Sequence, residues 1–148
     1  MTDQPKKKII HVHLGDENYK TVLHAGNHEI IADEPESAGG KDSGPDPYDL
    51  LLMSLGTCTV MTVRMYAQRK EWPVDDIYME LRHFKNHAED CSNCDDKASK
   101  IDRIEKEITV KGALSDKQLD RLLEISKKCP VHRTLLGELE IDSKIERM

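Results

Sequence analysis

Four cysteines in 148 residues fall into two kinds. Cys58 lies in the apolar stretch Leu50-Leu-Leu-Met-Ser-Leu-Gly-Thr-Cys58-Thr-Val-Met-Thr-Val, and Cys129 lies in Lys128-Cys129-Pro130-Val131-His132-Arg133. Cys91 and Cys94 form a C-x-x-C in a charged, Asp-rich segment. Thiol redox chemistry is the leading expectation from this layout, with metal binding second.

The single thiols differ in setting. A thiol on an apolar helix face is ordinarily an inert small hydrophobe. Burial raises its pKa unless a cation helps. Arg64 is six residues from Cys58 and off its face, so a helping cation must come from elsewhere in the fold or from a second subunit. Cys129 precedes Pro130, which suits the first position of a short helix, so Cys129 is the expected N-cap. The free N–H groups and the dipole there favour a thiolate. His132 and Arg133, one turn on, add positive charge. On these grounds Cys129 is the better thiolate.

Cys91-Ser-Asn-Cys94 follows His83 and His87. Cys91, Cys94 and His87 are candidate metal ligands, zinc above all. No second matching pair completes a zinc signature, and the strand-to-helix context of a thioredoxin-type C-x-x-C is missing. A surface thiol pair that oxidises is the competing reading. Lys97, Lys100, Arg103, Lys106 and Lys111 read as a solvated face interleaved with acids.

The elements that must position these thiols are well punctuated. Residues 8–14, 19–24 and 28–32 read as three short strands separated by turns. Residues 33–46 hold only breakers, charges and small residues, and read as a loop. Asp46 and Pro47 open a helix that runs to about Lys70, where Trp72-Pro73 stops it. Its middle is apolar on every side, which predicts a helix buried all round with Met53, Met61 and Met65 in its packing. That burial exceeds what one chain of this length easily provides and predicts an obligate dimer. Residues 74–83 and 101–110 read as strands around a polar loop. Ser115 and Gln118 form a capping box for a helix over 116–128. A short helix through Leu136 follows, and residues 138–145 could form a closing strand. The order β-β-β-α-β-β-α-β is α+β in class.

Length fits one domain over 1–148. A net charge of −6 argues against a general nucleic-acid binder. No 18-residue apolar run predicts a membrane span, and the N-terminus lacks the apolar stretch of a signal peptide. A cytoplasmic location is expected, where cysteine pairs are more often catalytic, redox-active or metal-binding than structural.

The segments from Gly44 through Cys58 to Lys70, and from Lys128 through Cys129 to Leu135, resemble the OsmC-like family of osmotically inducible and organic hydroperoxide resistance proteins. The resemblance covers nearly the whole chain and is closest to a subgroup with an added C-x-x-C loop. It implies an intertwined homodimer in which two sheets wrap two central helices. It also implies a peroxidase acting on small organic hydroperoxides in an apolar pocket. The thiol matching Cys58 attacks the peroxide, the thiol matching Cys129 resolves the sulfenate as a disulfide, and a cellular dithiol reduces it. No cofactor is required, although a metal at Cys91 and Cys94 stays open.

This chain departs from the family pattern in one respect. The peroxidases use an arginine from the N-terminal part, held by a glutamate near the start of the central helix. Here no arginine precedes Arg64, and Tyr48 stands where the glutamate is expected, with Asp49 beside it. Asp49 could hold a cation instead, Arg133 or a lysine. Tyr48, Asp49, Arg133 and His132 are therefore the candidate supporting residues. The alternative function is a non-enzymatic binding or redox-sensing protein, taking an apolar ligand, or a metal through Cys91, Cys94 and His87.

Overall fold

The computed structural model describes residues 6–87 and 100–148. The chain is α+β and divides into two compact units, 1–51 and 52–148.

The first unit is a meander. Strands β1 (His11–Leu14), β2 (Thr21–Ala25) and β3 (His28–Ala32) form one antiparallel sheet in that order. The expected loop follows, with a short 3₁₀ turn at Glu36–Ala38. Asp33, only 3% exposed, organises it. Its carboxylate accepts from the backbone N–H of Glu34 at 2.8 Å, and from those of Lys41 and Ser43 at 3.2 Å. The Ser43 hydroxyl donates to it at 2.7 Å. A buried carboxylate is costly unless its lone pairs are filled, and here donors fill both oxygens. Helix α1 (Pro47–Arg69) starts at the end of this unit. Asp46 and Asp49 cap it reciprocally, each carboxylate accepting from the other's backbone N–H at 2.9 and 3.1 Å.

The second unit holds the rest of α1, the hairpin β4 (Asp76–His87) and β5 (Lys100–Lys111), and helices α2 (Asp116–Ser126) and α3 (Pro130–Leu136). The hairpin register sets Ile77 against Val110, Met79 against Ile108, Leu81 against Lys106 and His83 against Ile104. These residues are the less exposed ones along both strands, so they share the inward face. Val63 and Ala67 of α1 join Val74 and Leu122 in a small core, with Tyr66, Trp72, Ile77, Val110 and Leu114 around it. Gly56 lets β4 come close to the helix. A Cβ there would sit 2.8 Å from Leu81 Cδ1. At the C-terminal end of α1 the Trp72 N–H reaches back to the Ala67 carbonyl at 2.9 Å, and Glu71 takes a left-handed φ of 57°. The capping box at α2 forms as expected, with both Ser115–Gln118 hydrogen bonds present.

Two expectations change. Within this chain α1 buries a single stripe, Leu55, Thr59, Val63 and Ala67 at a spacing of four, and not its whole circumference. Met53, Met61 and Met65 on the opposite side are 54%, 59% and 67% exposed, so they do not pack in this chain's core. An apolar sequence on all faces tells that a helix is covered, not what covers it. The closing strand over 138–145 does not form. Its alternating Leu139 and Ile141 are exposed, and among the described residues no strand pairs with this segment. Helix α1 is long and apolar enough to cross a membrane by length and composition alone, a test that the core helix of a soluble protein also passes.

Candidate active site

The N-terminal end of α3 and the inner stripe of α1 bring two thiols together. Cys129 caps α3, as its place before Pro130 predicts. Its sulfur accepts from the His132 N–H at 3.3 Å. It is fully buried, whereas Cys58 on α1 keeps partial access. Cys58 lies near enough to Cys129 to help lower that thiol's pKa. Thr59, next to Cys58 and fully buried, lies with its hydroxyl 3.5 Å from the Cys129 sulfur.

The cation that the sequence could not locate is Lys106. It comes from the middle of β5, where strand alternation turns it inward in the row of Ile104, Ile108 and Val110. Its Nζ donates to Thr59 Oγ1 at 3.3 Å, to the Ser126 carbonyl at 2.9 Å and to His132 Nδ1 at 2.9 Å. These contacts use all three ammonium protons. Reading Lys106 as part of a solvated face was wrong. The signal was present as parity, a lysine two residues from an isoleucine on either side.

Electrostatics follow the geometry. Burial pushes the Cys129 thiol up. Hydrogen bonds from Thr59, the His132 N–H and Cys58, together with the Lys106 charge, outweigh burial and hold the thiol below its ordinary value. Burial pushes the Lys106 ammonium down, and Lys127 adds to this, while negative charge on Cys129 and Cys58 opposes it. His132 is lowered by burial and by the charges on Lys106 and Lys127, so its imidazole is neutral and its Nδ1 is free to accept.

The sequence profile of OsmC-like proteins matches residues 40–144. The chain belongs to the OsmC-like family. Solved structures share its fold. An OsmC-like protein from Mycoplasma pneumoniae is 22% identical over 90% of each chain, with a TM-score of 0.72. An organic hydroperoxide resistance protein OsmC from Legionella pneumophila is 15% identical over 91% of this chain and 93% of its own, with a TM-score of 0.65. An organic hydroperoxide resistance protein from Elizabethkingia anophelis, with thiocyanate bound, is 12% identical over 94% of both chains, with a TM-score of 0.66. At these identities the likeness is one of fold. No curated protein matches the chain by sequence. In this fold the apolar α1 is read as a core helix.

Asp49 spends its carboxylate on the α1 cap, and Tyr48 is half exposed. Arg133 is exposed on α3. Arg64 donates to the carbonyls of Val74 and, at 3.3 Å, of Asp75, tying α1 to the start of β4. His87 is the last residue of β4, and Cys91 and Cys94 lie outside the described residues. Among the described residues no group of three or more His, Cys, Asp or Glu side chains is placed to hold a metal. A hollow of about 160 Å³ in the first unit, lined by Tyr19, Thr21, Asp33 and Pro47 among others, contains no thiol.

Proposed function

We propose that the chain is a two-cysteine peroxidase that reduces small organic hydroperoxides. The observation that carries this reading is the pairing of Cys58, within reach of solvent, with Cys129, buried and held below its ordinary thiol value. Membership of the OsmC-like family supports a redox or peroxide-related role. The names of the Legionella and Elizabethkingia structures point the same way.

On this reading the pair reacts with one of its two sulfurs ionised and the other protonated. When the proton sits on Cys129, Cys58 is the thiolate that an entering peroxide meets. The Cys58 sulfur attacks the terminal oxygen of ROOH, a sulfur–oxygen bond forms and the oxygen–oxygen bond breaks. Cys58 is oxidised to a sulfenic acid, which keeps the hydroperoxide hydrogen. The alkoxide leaves with the electron pair and takes the proton from Cys129, giving ROH. Cys129, now a thiolate, attacks the Cys58 sulfur and displaces hydroxide, which solvent protonates to water. A cellular dithiol reduces the Cys58–Cys129 disulfide by exchange. No cofactor enters the cycle.

The same reading makes the protein a cytoplasmic homodimer. Met53, Met61 and Met65 form an exposed apolar stripe on the helix that carries Cys58, and an equivalent stripe of a second copy would cover it. The Cys91-Ser-Asn-Cys94 sequence supports membership of the subgroup with an added C-x-x-C loop.

The test is to treat fully reduced protein with one equivalent of cumene hydroperoxide and map its disulfides by peptide mass spectrometry. Rapid formation of a Cys58–Cys129 bond is expected. If Cys58→Ser consumes the peroxide as fast as the unaltered chain, the reading falls. Oxidation confined to Cys91 and Cys94 would favour a redox sensor instead.

A further inference from the structure

Among the described residues Lys106 has no carboxylate partner. The ion pairs among the described residues use the neighbouring basic residues of the hairpin. Arg82 pairs with Glu80 and Glu107, and Arg103 with Glu105. None of them includes Lys106. Its three hydrogen-bond acceptors, a hydroxyl, a carbonyl and a neutral imidazole, are all uncharged. A cation withdrawn from water without a counter-ion is costly, and a nearby anion lowers that cost. The groups facing it from the packed elements are Cys58 and Thr59 on α1, Ser126, Lys127 and Cys129 at the α2–α3 junction, and His132 on α3. Only the two thiols among these can become negative.

We propose that Lys106 is the positioning cation of the thiol pair, with the Cys58–Cys129 thiolate as its counter-ion, acting through the Thr59 hydroxyl. This inference rests on the thiol pair being the reactive centre. It assigns to a β5 lysine the charge that an N-terminal arginine supplies elsewhere in the family.

The hydroxyl accounts for how the charge is passed on. Thr59 has one proton and two lone pairs. It accepts from Lys106, and its proton has two acceptors within reach, the Leu55 carbonyl at 2.8 Å and the Cys129 sulfur at 3.5 Å. With Cys129 protonated, the S–H donates to Thr59 and Thr59 donates to Leu55. With Cys129 ionised, the hydroxyl turns to the sulfur, already polarised by the ammonium behind it. One rotation of a hydroxyl thus follows each change of charge, with no backbone movement.

The test replaces Cys91 and Cys94 by serine, so that only Cys58 and Cys129 contribute, and follows thiolate absorbance against pH in the reduced protein. The parent chain is expected to form its first thiolate below the ordinary thiol value. Lys106→Met is expected to move that titration upward, by about one pH unit if the lysine acts as a single nearby opposite charge, and Lys106→Arg to restore part of the shift. Thr59→Val removes the relay while keeping the shape, and is expected to move the titration in the same direction at least as far, since its hydrogen bond is the leading support of the Cys129 thiolate. It also serves if Lys106→Met does not fold. An unchanged titration in Lys106→Met, or in Thr59→Val should the first not fold, overturns the proposal. Peroxide turnover is measured separately. A parent chain with the thiolate but no turnover sinks the peroxidase reading and leaves Lys106 in place, and turnover with an unmoved titration does the reverse.

Discussion

Lys106 Nζ lies 2.9 Å from His132 Nδ1, an ammonium donating to an imidazole. The contact requires the His132 proton to sit on Nε2. A second proton would set two cations against each other. His132 therefore titrates below its ordinary 6.5, through burial first and then the charges of Lys106 and Lys127. The folded chain binds this proton less readily than the unfolded one. The stability gained is fully present above about pH 6.5 and is lost as pH falls through the lowered folded value. His132→Asn keeps an acceptor for Lys106 and removes the titration, so its unfolding midpoint is expected to fall less steeply on acidification. Ring resonances of His132 that titrate at or above 6.5 would sink this account.

Asp33 gives a second, more acidic dependence. The Ser43 hydroxyl leads in holding its carboxyl at about 2. Burial opposes this, and the N–H groups of Ser43, Glu34 and Lys41 add to it. The stabilisation is complete above the ordinary value of 3.8 and drains away as pH drops toward about 2. Asp33→Asn should lower stability at neutral pH and flatten its acid dependence. Thermal unfolding from about pH 5 to pH 3 reads this, and parallel losses in both chains would count against it.

Glu71 sits at φ 57°, where a side chain costs about 1–2 kcal/mol. Glycine removes that strain but loosens the unfolded chain by about 0.4–1 kcal/mol. Glu71→Gly is therefore expected to stabilise by about 1 kcal/mol in urea unfolding, and Glu71→Val to destabilise, since a β-branched residue fits this region worst. Equal midpoints for all three chains would mean the turn relaxes freely.

The exposed methionines of α1 test the assembly. If a second copy covers them, the double change Met61→Glu and Met65→Glu should turn a sedimenting dimer into monomer or abolish folding. A dimer of unchanged mass would remove this face from the interface.

The elements were legible wherever a residue type punctuates the chain. Asp46-Pro47, Ser115 with Gln118, and Cys129-Pro130 each fix a helix start by local hydrogen bonding alone, and all three are found where the sequence puts them. Cys129 was legible as a favoured thiolate for the same reason, because its N-cap contact to His132 is three residues away. Lys106 was not, because its meaning depends on 47 residues of separation from Thr59 and 26 from His132. Composition placed it among surface lysines, and only its parity in β5 told otherwise. Residues 138–145 failed in the opposite sense. Alternation marks a segment able to pair, but a strand exists only where a neighbour supplies the other half of the ladder.

The hairpin register carries one consequence for the chemistry. Lys106 is flanked by Glu105 and Glu107, both on the outer face. A slip of β5 by a single residue would exchange the faces, withdraw the ammonium and present a carboxylate to the sulfurs. The sign of the field at the thiols is thus decided by the pairing of Leu81 with Lys106 as much as by the residues around them. An insertion or deletion of one residue within β5 would silence the centre while every cysteine remained in the chain.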